Sequence, residues 1–426
     1  KSWSMMPLIL IYTPRSIMFR KRSLLWGVTV CMALCLVGCL DGQKQDRQEP
    51  EMNLLKGPWS EMSQAAMPRL FSDGSVLYTT WVSAQGPEST LFLSQYQQGS
   101  WSAAEAIQSG DNWFVNWADF PQVAVNNGAI FTTYLEKSAG TTYAYDIRYN
   151  VFNSKTQLWV KGLKLHRDTT KTEHGFVSVR PYGDGFLAAW LDGRETTGNH
   201  QGAMTIRAAK IAEDATLGEE MILDERVCDC CQTALVTGDN QEVMVVYRDR
   251  SQEEIRDISV VSMTDQKDWT VPISVGVDGW KIAGCPVNGP AIDSYKGHSA
   301  VAWFSAPNEE AQVKVAFAQG YQGQFGPAIR MDSGNATGRV NVVMLNETEA
   351  AVLWMEPQGE KELLRLQKVS DSGQKGKMVT IAETSADRAS GFPQLARVHD
   401  RLFVAYTLNQ ENASMFYMTS IDLAEL

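Results

Sequence analysis

Apolar and polar positions in this chain recur in one unit that repeats from Met67 almost to the C-terminus. The copies read MPRLFSDGSVLYTTW, FPQVAVNNGAIFTTY, FVSVRPYGDGFLAAW, CQTALVTGDNQEVMVVY, NGPAIDSYKGHSAVAW, VNVVMLNETEAAVLW and FPQLARVHDRLFVAY. Each has a short apolar run, a turn rich in Gly, Asn or Asp, and an alternating run closed by an aromatic residue. The closing aromatics are Trp81, Tyr134, Trp190, Tyr247, Trp303, Trp354 and Tyr406, spaced 51 to 57 residues apart. Alternation of this kind, bounded by turn residues, predicts hairpins rather than helices. Two more strands follow in most copies: YAYDIRYNVFN and LWVKGLKL after Tyr134, IRDISVVSM and DWTVPISV after Tyr247. Four strands per copy at this repeat length predict an all-β chain folded as a seven-bladed β-propeller.

The seventh copy stops soon after MFYMTSIDL and lacks a fourth strand. Elsewhere the turn between strands three and four ends in an aromatic: Trp101, Trp159, Trp269 and Phe325. KGPWSEMSQ, with Trp59, has that pattern and precedes the first copy. An N-terminal strand is therefore expected to complete the last blade, which removes two exposed sheet edges. Residues 53–426 read as one propeller domain with no internal boundary.

The region before it has a different character. From Met18 a basic stretch, Arg20 to Arg22, leads into an apolar run that ends at Leu-Val-Gly-Cys39. This reads as a secretory signal, too short for a membrane span, and its end resembles the lipobox of bacterial lipoproteins, with Cys39 as the lipidated residue. Residues 1–39 are then a signal with an upstream extension, and residues 40–52 a polar tether. Leu40 after Cys39 resembles the pattern for release to the outer membrane, so a periplasmic or cell-surface location is expected. Removing residues 1–38 takes five basic and no acidic residues, moving the net charge from −11 to −16. Such a chain repels polyanions, which argues against nucleic acid as a partner; membrane contact through the lipid alone, and a monomer, are expected.

The turns SMTDQKDW and SQYQQGSW approximate the Asp-box, Ser-x-Asp-x-Gly-x-x-Trp. With CDCCQTA, YRDRSQEEIRDISVV, DGWKIAGCPVNGPA and VAWFSAP, the chain resembles the sialidase (neuraminidase) superfamily of propellers, over the whole repeat region. The seven copies depart from the six blades of well-characterised sialidases. That chemistry needs three arginines to clamp a carboxylate, a tyrosine nucleophile activated by a glutamate, and an aspartic acid as proton donor. The resemblance implies Asp119, in NWADFPQV, as the proton donor. At the first-blade position of an Arg-Ile-Pro motif this chain has MPRL, with Arg69. No Tyr–Glu pair stands out, and Tyr143 and Tyr145 read as packing residues.

In a propeller the first strand of each blade lines the central channel, and the loops before it open on one face with those joining strands two and three. That geometry assigns Arg69, His174, Asp192, Arg194, Arg248, Asp249, Arg250, Arg256, Asp257 and Arg339 to one rim, densest on blades three to five, as candidates for binding a polar ligand. The bland alternative is mutual Arg–Asp pairing that ties loops together. Trp113, Trp117 and Trp280 stand beside the rim, either to stack on sugar faces or to cap the core. His166, His200, His298 and His399 read as strand-end or loop residues.

Three cysteines, Cys228, Cys230 and Cys231, crowd the start of blade four, and Cys285 stands in blade five. Aligning the two blades by their aromatics puts Cys285 level with Asp229. In an oxidising compartment an even set of four predicts disulfides: one pair joining blades four and five, one local pair within Cys228–Cys231. The rival is a thiolate site for a soft metal, copper or zinc, with His174 as a further ligand; no cofactor is otherwise required. Three function classes stay open: a lipid-anchored propeller that recognises a polar ligand such as a glycan, a sialidase-type exo-glycosidase, and a periplasmic metal or redox component built on the cysteines.

Overall fold

In each repeat the second strand is buried along nearly its whole length, because neighbouring blades cover both its faces. Gly185–Asp192 (GFLAAWLD) is buried at every position, and Leu77–Gln85 over its first seven. Large and small apolar residues alternate there so that adjacent sheets interlock. A computed structural model describes residues 52–62, 64–196, 202–263, 268–410 and 413–426. They form seven antiparallel sheets, six of four strands, arranged as a β-propeller. The sheet of blade one is the exception, its outer edge being split into Ser100–Trp101 and Glu105–Gly110, which both pair with Glu88–Gln97. The signal region, Cys39 and the tether to residue 51 lie outside the described residues.

The inner strands, blades one to seven, are Ala66–Ser72, Val123–Asn126, His174–Tyr182, Ala234–Thr237, Ala291–Tyr295, Gly338–Met344 and Gln394–Val398. Blade seven is closed from the N-terminal side, as expected, but not by the stretch around Trp59. Asn53–Leu55 pairs with Ala413–Asp422, with Asn53 opposite Ser420. Trp59 instead lies in a 3-10 turn, Pro58–Glu61. Pro58 has no N–H to give a ladder, so pairing falls on the residues before it. The indole is 1 % exposed and packs on Trp81, Trp101 and Phe416 at centroid distances of 5.8, 4.7 and 4.3 Å.

The closing aromatics are all buried. Their polar atoms require partners, and carboxylates provide several. Trp190 Nε1 donates to Asp192 at 2.9 Å, Trp354 Nε1 to Glu356 at 3.0 Å, Trp303 Nε1 to Asp278 at 2.8 Å, and Tyr247 OH to Asp224 at 2.6 Å. The inner strands of blades one, three and six each carry a bulge near their start. There Met67, Phe176 and Arg339 take positive φ. Bulges of this kind re-aim side chains, here those nearest the channel mouth.

Candidate functional site

The inner strands leave a channel cavity of about 540 Å³ on the propeller axis. Charged side chains on otherwise apolar strands point into it: Arg69, Arg180, Arg397 and Asp293, with Asp119 at one end. Arg69 Nη1 donates to Gln394 Oε1 at 2.6 Å, while its buried Nε has no hydrogen-bond partner. Arg180 Nη1 meets only the carbonyl of the adjacent Val179, at 3.0 Å. Arg397 is bound to the carbonyls of His399, at 2.8 Å, and Leu345. Asp293 accepts from the Met344 N–H at 2.7 Å. Among the described residues none of the three arginines forms an ion pair, although three carboxyls, Asp73, Asp119 and Asp293, border the same cavity. Burial and the neighbouring Arg180 pull Arg69 down to about 9. Burial pushes Asp293 up to about 6, against the opposing pull of the Met344 N–H and Arg180.

The end of the channel nearer the rim is covered. Trp117 stacks on Phe392 at 5.7 Å, and the Arg339 guanidinium lies 4.8 Å over the indole. The Ala118 carbonyl accepts from Gln232 Nε2 at 2.7 Å. The loop leading into blade two thus leans across to blades four, six and seven. At the opposite end the cavity is bordered by exposed hairpin residues, Asp73, Gly74 and His399. Trp113 stacks on Tyr134 in the core and Trp280 lies under Arg248, both buried.

Asp119 is buried beside a group that the sequence did not reveal. The Tyr145 hydroxyl lies 3.1 Å from Asp119 Oδ2 and 2.8 Å from Glu173 Oε1. Asp119 Oδ1 accepts from the Phe176 N–H at 2.8 Å. Burial raises Asp119 to about 8, with Glu173 adding to the rise against the Phe176 and Tyr145 hydrogen bonds. Burial likewise raises Glu173 to about 7. Two carboxyls joined through one phenol can therefore carry protons at neutral pH and donate them. Asp119 also has a structural counterpart. Asn288 stands at the same distance before its closing aromatic and caps the Arg339 N–H of the next blade at 2.7 Å.

Most other rim candidates have their polar groups occupied within the protein, which corrects their assignment to an open ligand face. Arg248 is 1 % exposed and donates to the carbonyls of Asn288, Arg256 and Phe304 at 2.9, 2.6 and 2.6 Å. Arg339 donates to the carbonyls of Asp387, Gly391 and Ala386. Asp192 is buried beneath Trp190 and gripped by Arg194 at 2.7 and 2.6 Å, with Arg194 also on Glu220. Arg250 pairs with Asp229 and Glu254, and Arg256 with the same two carboxylates. Asp249 accepts from Ser259, and Asp257 from the N–H groups of Gly279 and Trp280. His174 is buried against Tyr145 O and Asp168. Of the ten, Arg69 alone lines the cavity. Arg180, Asp293 and Arg397 were missed, although a lone charge within an apolar inner strand (FVSVRPY, AIDSY, LARVHD) is a legible sign of a channel-facing position.

Cys230 and Cys285 form a disulfide, with Cα atoms 6.1 Å apart, joining blades four and five. Cys228 and Cys231 are unbridged, buried, and face each other with sulfurs 2.7 Å apart. The Cys228 thiol lies 3.4 Å from Arg256 Nη1. Burial opposes its ionisation, but the Cys231 hydrogen bond, the Cys230 N–H, Arg248 and Arg256 prevail and hold it at about 6. Burial and the adjacent Cys228 raise Cys231 well above the usual thiol range. The disulfide takes two of the four sulfurs a thiolate metal centre would use.

No protein-family model matches the chain, and no curated protein matches its sequence. Solved structures do resemble it in fold. Polysaccharide lyase Uly1 superposes with a TM-score of 0.51 at 8 % identity, over 87 % of this chain and 91 % of its own. A protein of unknown function from Dyadobacter fermentans DSM 18053 gives 0.50 at 10 % identity, over 88 % and 98 %. A sialidase of Trypanosoma rangeli gives 0.45 at 9 % identity, over 89 % of this chain and 60 % of its own. At these identities the likeness is one of fold. The chain belongs, by its own strand pairing, to the seven-bladed propellers with four-stranded blades.

Proposed function

We propose that this propeller recognises an anionic saccharide, its acidic group held in the central channel by Arg69 and Arg180. The supporting observation is that the Arg69 and Arg180 guanidinium groups form no ion pair in a cavity large enough for a sugar unit. A guanidinium fork meets carboxylate or sulfate through two parallel hydrogen bonds. In a walled channel such contacts are stronger than on an open surface. The amides of Gln122, Gln232 and Asn341, themselves hydrogen-bonded within the protein, and the ring of Phe120 line the same space, and the ring supplies a face for a sugar. This moves the ligand from the rim of blades three to five onto the axis. The Leu-Val-Gly-Cys39 boundary supports a lipid anchor and an extracytoplasmic location, tested by whether Cys39→Ser abolishes labelling with a fatty acid.

Calorimetric titration with matched neutral, uronate-bearing and sulfated oligosaccharides tests the reading. Acidic ligands should bind, and Arg180→Gln should weaken them by about tenfold or more, the loss of one charged hydrogen-bond pair. Equal binding of neutral ligands, or unchanged affinity in the variant, would refute it.

A second reading, exo-glycosidase action, is favoured by the Asp119–Tyr145–Glu173 group. Asp119 lines the cavity, and its burial favours the protonated form that a general acid needs. Turnover of sialosides and other acidic glycosides, lost in Asp119→Asn without loss of binding, would support it. Binding without turnover by the wild type leaves recognition alone. The thiolate-metal reading is weakened, since two sulfurs fall short of the three or four that such a centre uses.

A further inference from the structure

We propose that Asp146, His166 and His174 hold a divalent transition-metal ion, zinc by its ligand chemistry, between blades two and three. His166 is 2 % exposed, and neither of its ring nitrogens has a hydrogen-bond partner. Asp146 Oδ1, buried beside it, has none either. Unbonded polar atoms in a core are costly, and in native proteins they mark a missing partner, commonly water or an ion.

The orphaned atoms of Asp146 and His166 lie beside His174 Nδ1, which is held by Tyr145 O. Asp146 Oδ1 is 3.4 Å from His166 Nε2 and 3.8 Å from His174 Nδ1. One donor atom from each of the three residues lies within 4.8 Å of the others. Ligands of a tetrahedral ion at about 2.0–2.1 Å stand roughly 3.3–3.4 Å from each other, so the Asp146–His166 side already has the right length and His174 must close in. The imidazoles are stacked at 3.8 Å with planes 11° apart; binding rotates them so that their lone pairs meet, and His174 Nδ1 gives up Tyr145 O, now 3.2 Å away.

The surroundings have the form of an outer coordination shell. With Nδ1 on the ion, His174 Nε2 donates to Asp168 Oδ2 at 3.0 Å, the carboxylate–histidine arrangement that orients metal ligands. Lys164 Nζ holds the other oxygen of Asp146 at 2.8 Å. Three carboxylates, Asp146, Asp168 and Asp192, enclose the two imidazoles, while Lys164, the Arg194 shared between Asp192 and Glu220, and the Arg207 shared between Asp192 and Glu195 are the cations at hand. Mixed imidazole and carboxylate donors suit zinc. The three residues come from the third strand of blade two (Tyr145–Asn153), the segment after its outer strand, and the inner strand of blade three. An ion here clamps two blades directly behind Tyr145.

The test uses untagged protein, unfolded in chelator and refolded with Zn²⁺, with Mg²⁺, or with neither. Metal content after desalting and the thermal midpoint are then measured. Wild type should retain one zinc per chain and gain roughly 5 °C in Tm over the metal-free protein. Asp146→Asn and His166→Phe, the latter keeping the ring stack, should retain none and show no gain. The double variant Cys228→Ser, Cys231→Ser should behave as wild type. Refolded wild type without zinc and with an unchanged Tm would overturn the proposal. So would zinc retained by His166→Phe, zinc lost only from the cysteine variant, or an equal gain from Mg²⁺.

Discussion

At the scale of single residues, the fold stations charge where neutral partners must satisfy it. Arg248 is buried among three carbonyl oxygens. Arg248→Met should destabilise the protein by about 3 kcal/mol or more, because three buried acceptors lose their donor; an unchanged urea midpoint would contradict this. Asp293 gives a pH signature. Its carboxyl is raised to about 6 in the folded protein, from an ordinary 3.8, chiefly by burial. Its stabilising contribution is full below about pH 4 and is lost as pH rises through 6. Asp293→Asn, which keeps an acceptor for the Met344 N–H, should gain stability relative to wild type across that window. The gain is bounded at about 3 kcal/mol by the size of the shift. A difference between the two proteins that stays flat from pH 4 to 7 would remove the argument. Residue identity was legible here and direction was not. Arg248, Arg339 and Asp192 were placed near the channel mouth from their positions before and after the inner strands. Which way a side chain turns depends on bulges and neighbouring loops that no period records. Tyr145, read as a packing residue, instead bonds Asp119 and Glu173, and its pairing with Glu173 was hidden for a related reason: the two belong to adjacent blades and meet where a parallel bridge joins Tyr145 to Glu173.

At the scale of elements, the repeat was legible because the second strand of every blade is enclosed on both faces, which forces a large aromatic at a fixed place. The closing strand was read from the wrong feature. Trp59 fills the slot of a blade aromatic, but Pro58 keeps it out of the ladder, and the pairing falls on Asn53–Leu55. The cysteines show the same limit. Aligning the blades brought Cys285 to the level of the cluster, and side-chain orientation then selected Cys230. That bond closes a separation of 55 residues. Replacing both cysteines with serine should cost about 4 kcal/mol, following the loop-length dependence. Equal denaturation midpoints for the variant and the oxidised wild type would show that the link adds nothing to the blade contact.

At the scale of the molecule, seven sheets hold one another as a closed circuit, whose seam joins Asn53–Leu55 to Ala413–Asp422 within blade seven. Three residues pair across the seam in a ladder, with one further bridge from Ala65 to Met415, and Trp59 packs there against the rings of Trp81, Trp101 and Phe416. Trp59→Ala should cost about 3–5 kcal/mol, the range for deleting a buried tryptophan. The loss should appear in hydrogen exchange first at blades one and seven. Uniform loosening of all blades would mean that the seam is no weaker than the other junctions.

The seam also sets a clock on biogenesis. Asn53–Leu55 leaves the ribosome, or crosses a membrane, long before its mate Ala413–Asp422 exists. Through that interval the early strand has no complementary edge within its own polypeptide. The last blade is thus closed by the earliest strand, and any factor escorting the nascent chain must guard that waiting segment until Ala413–Asp422 has emerged.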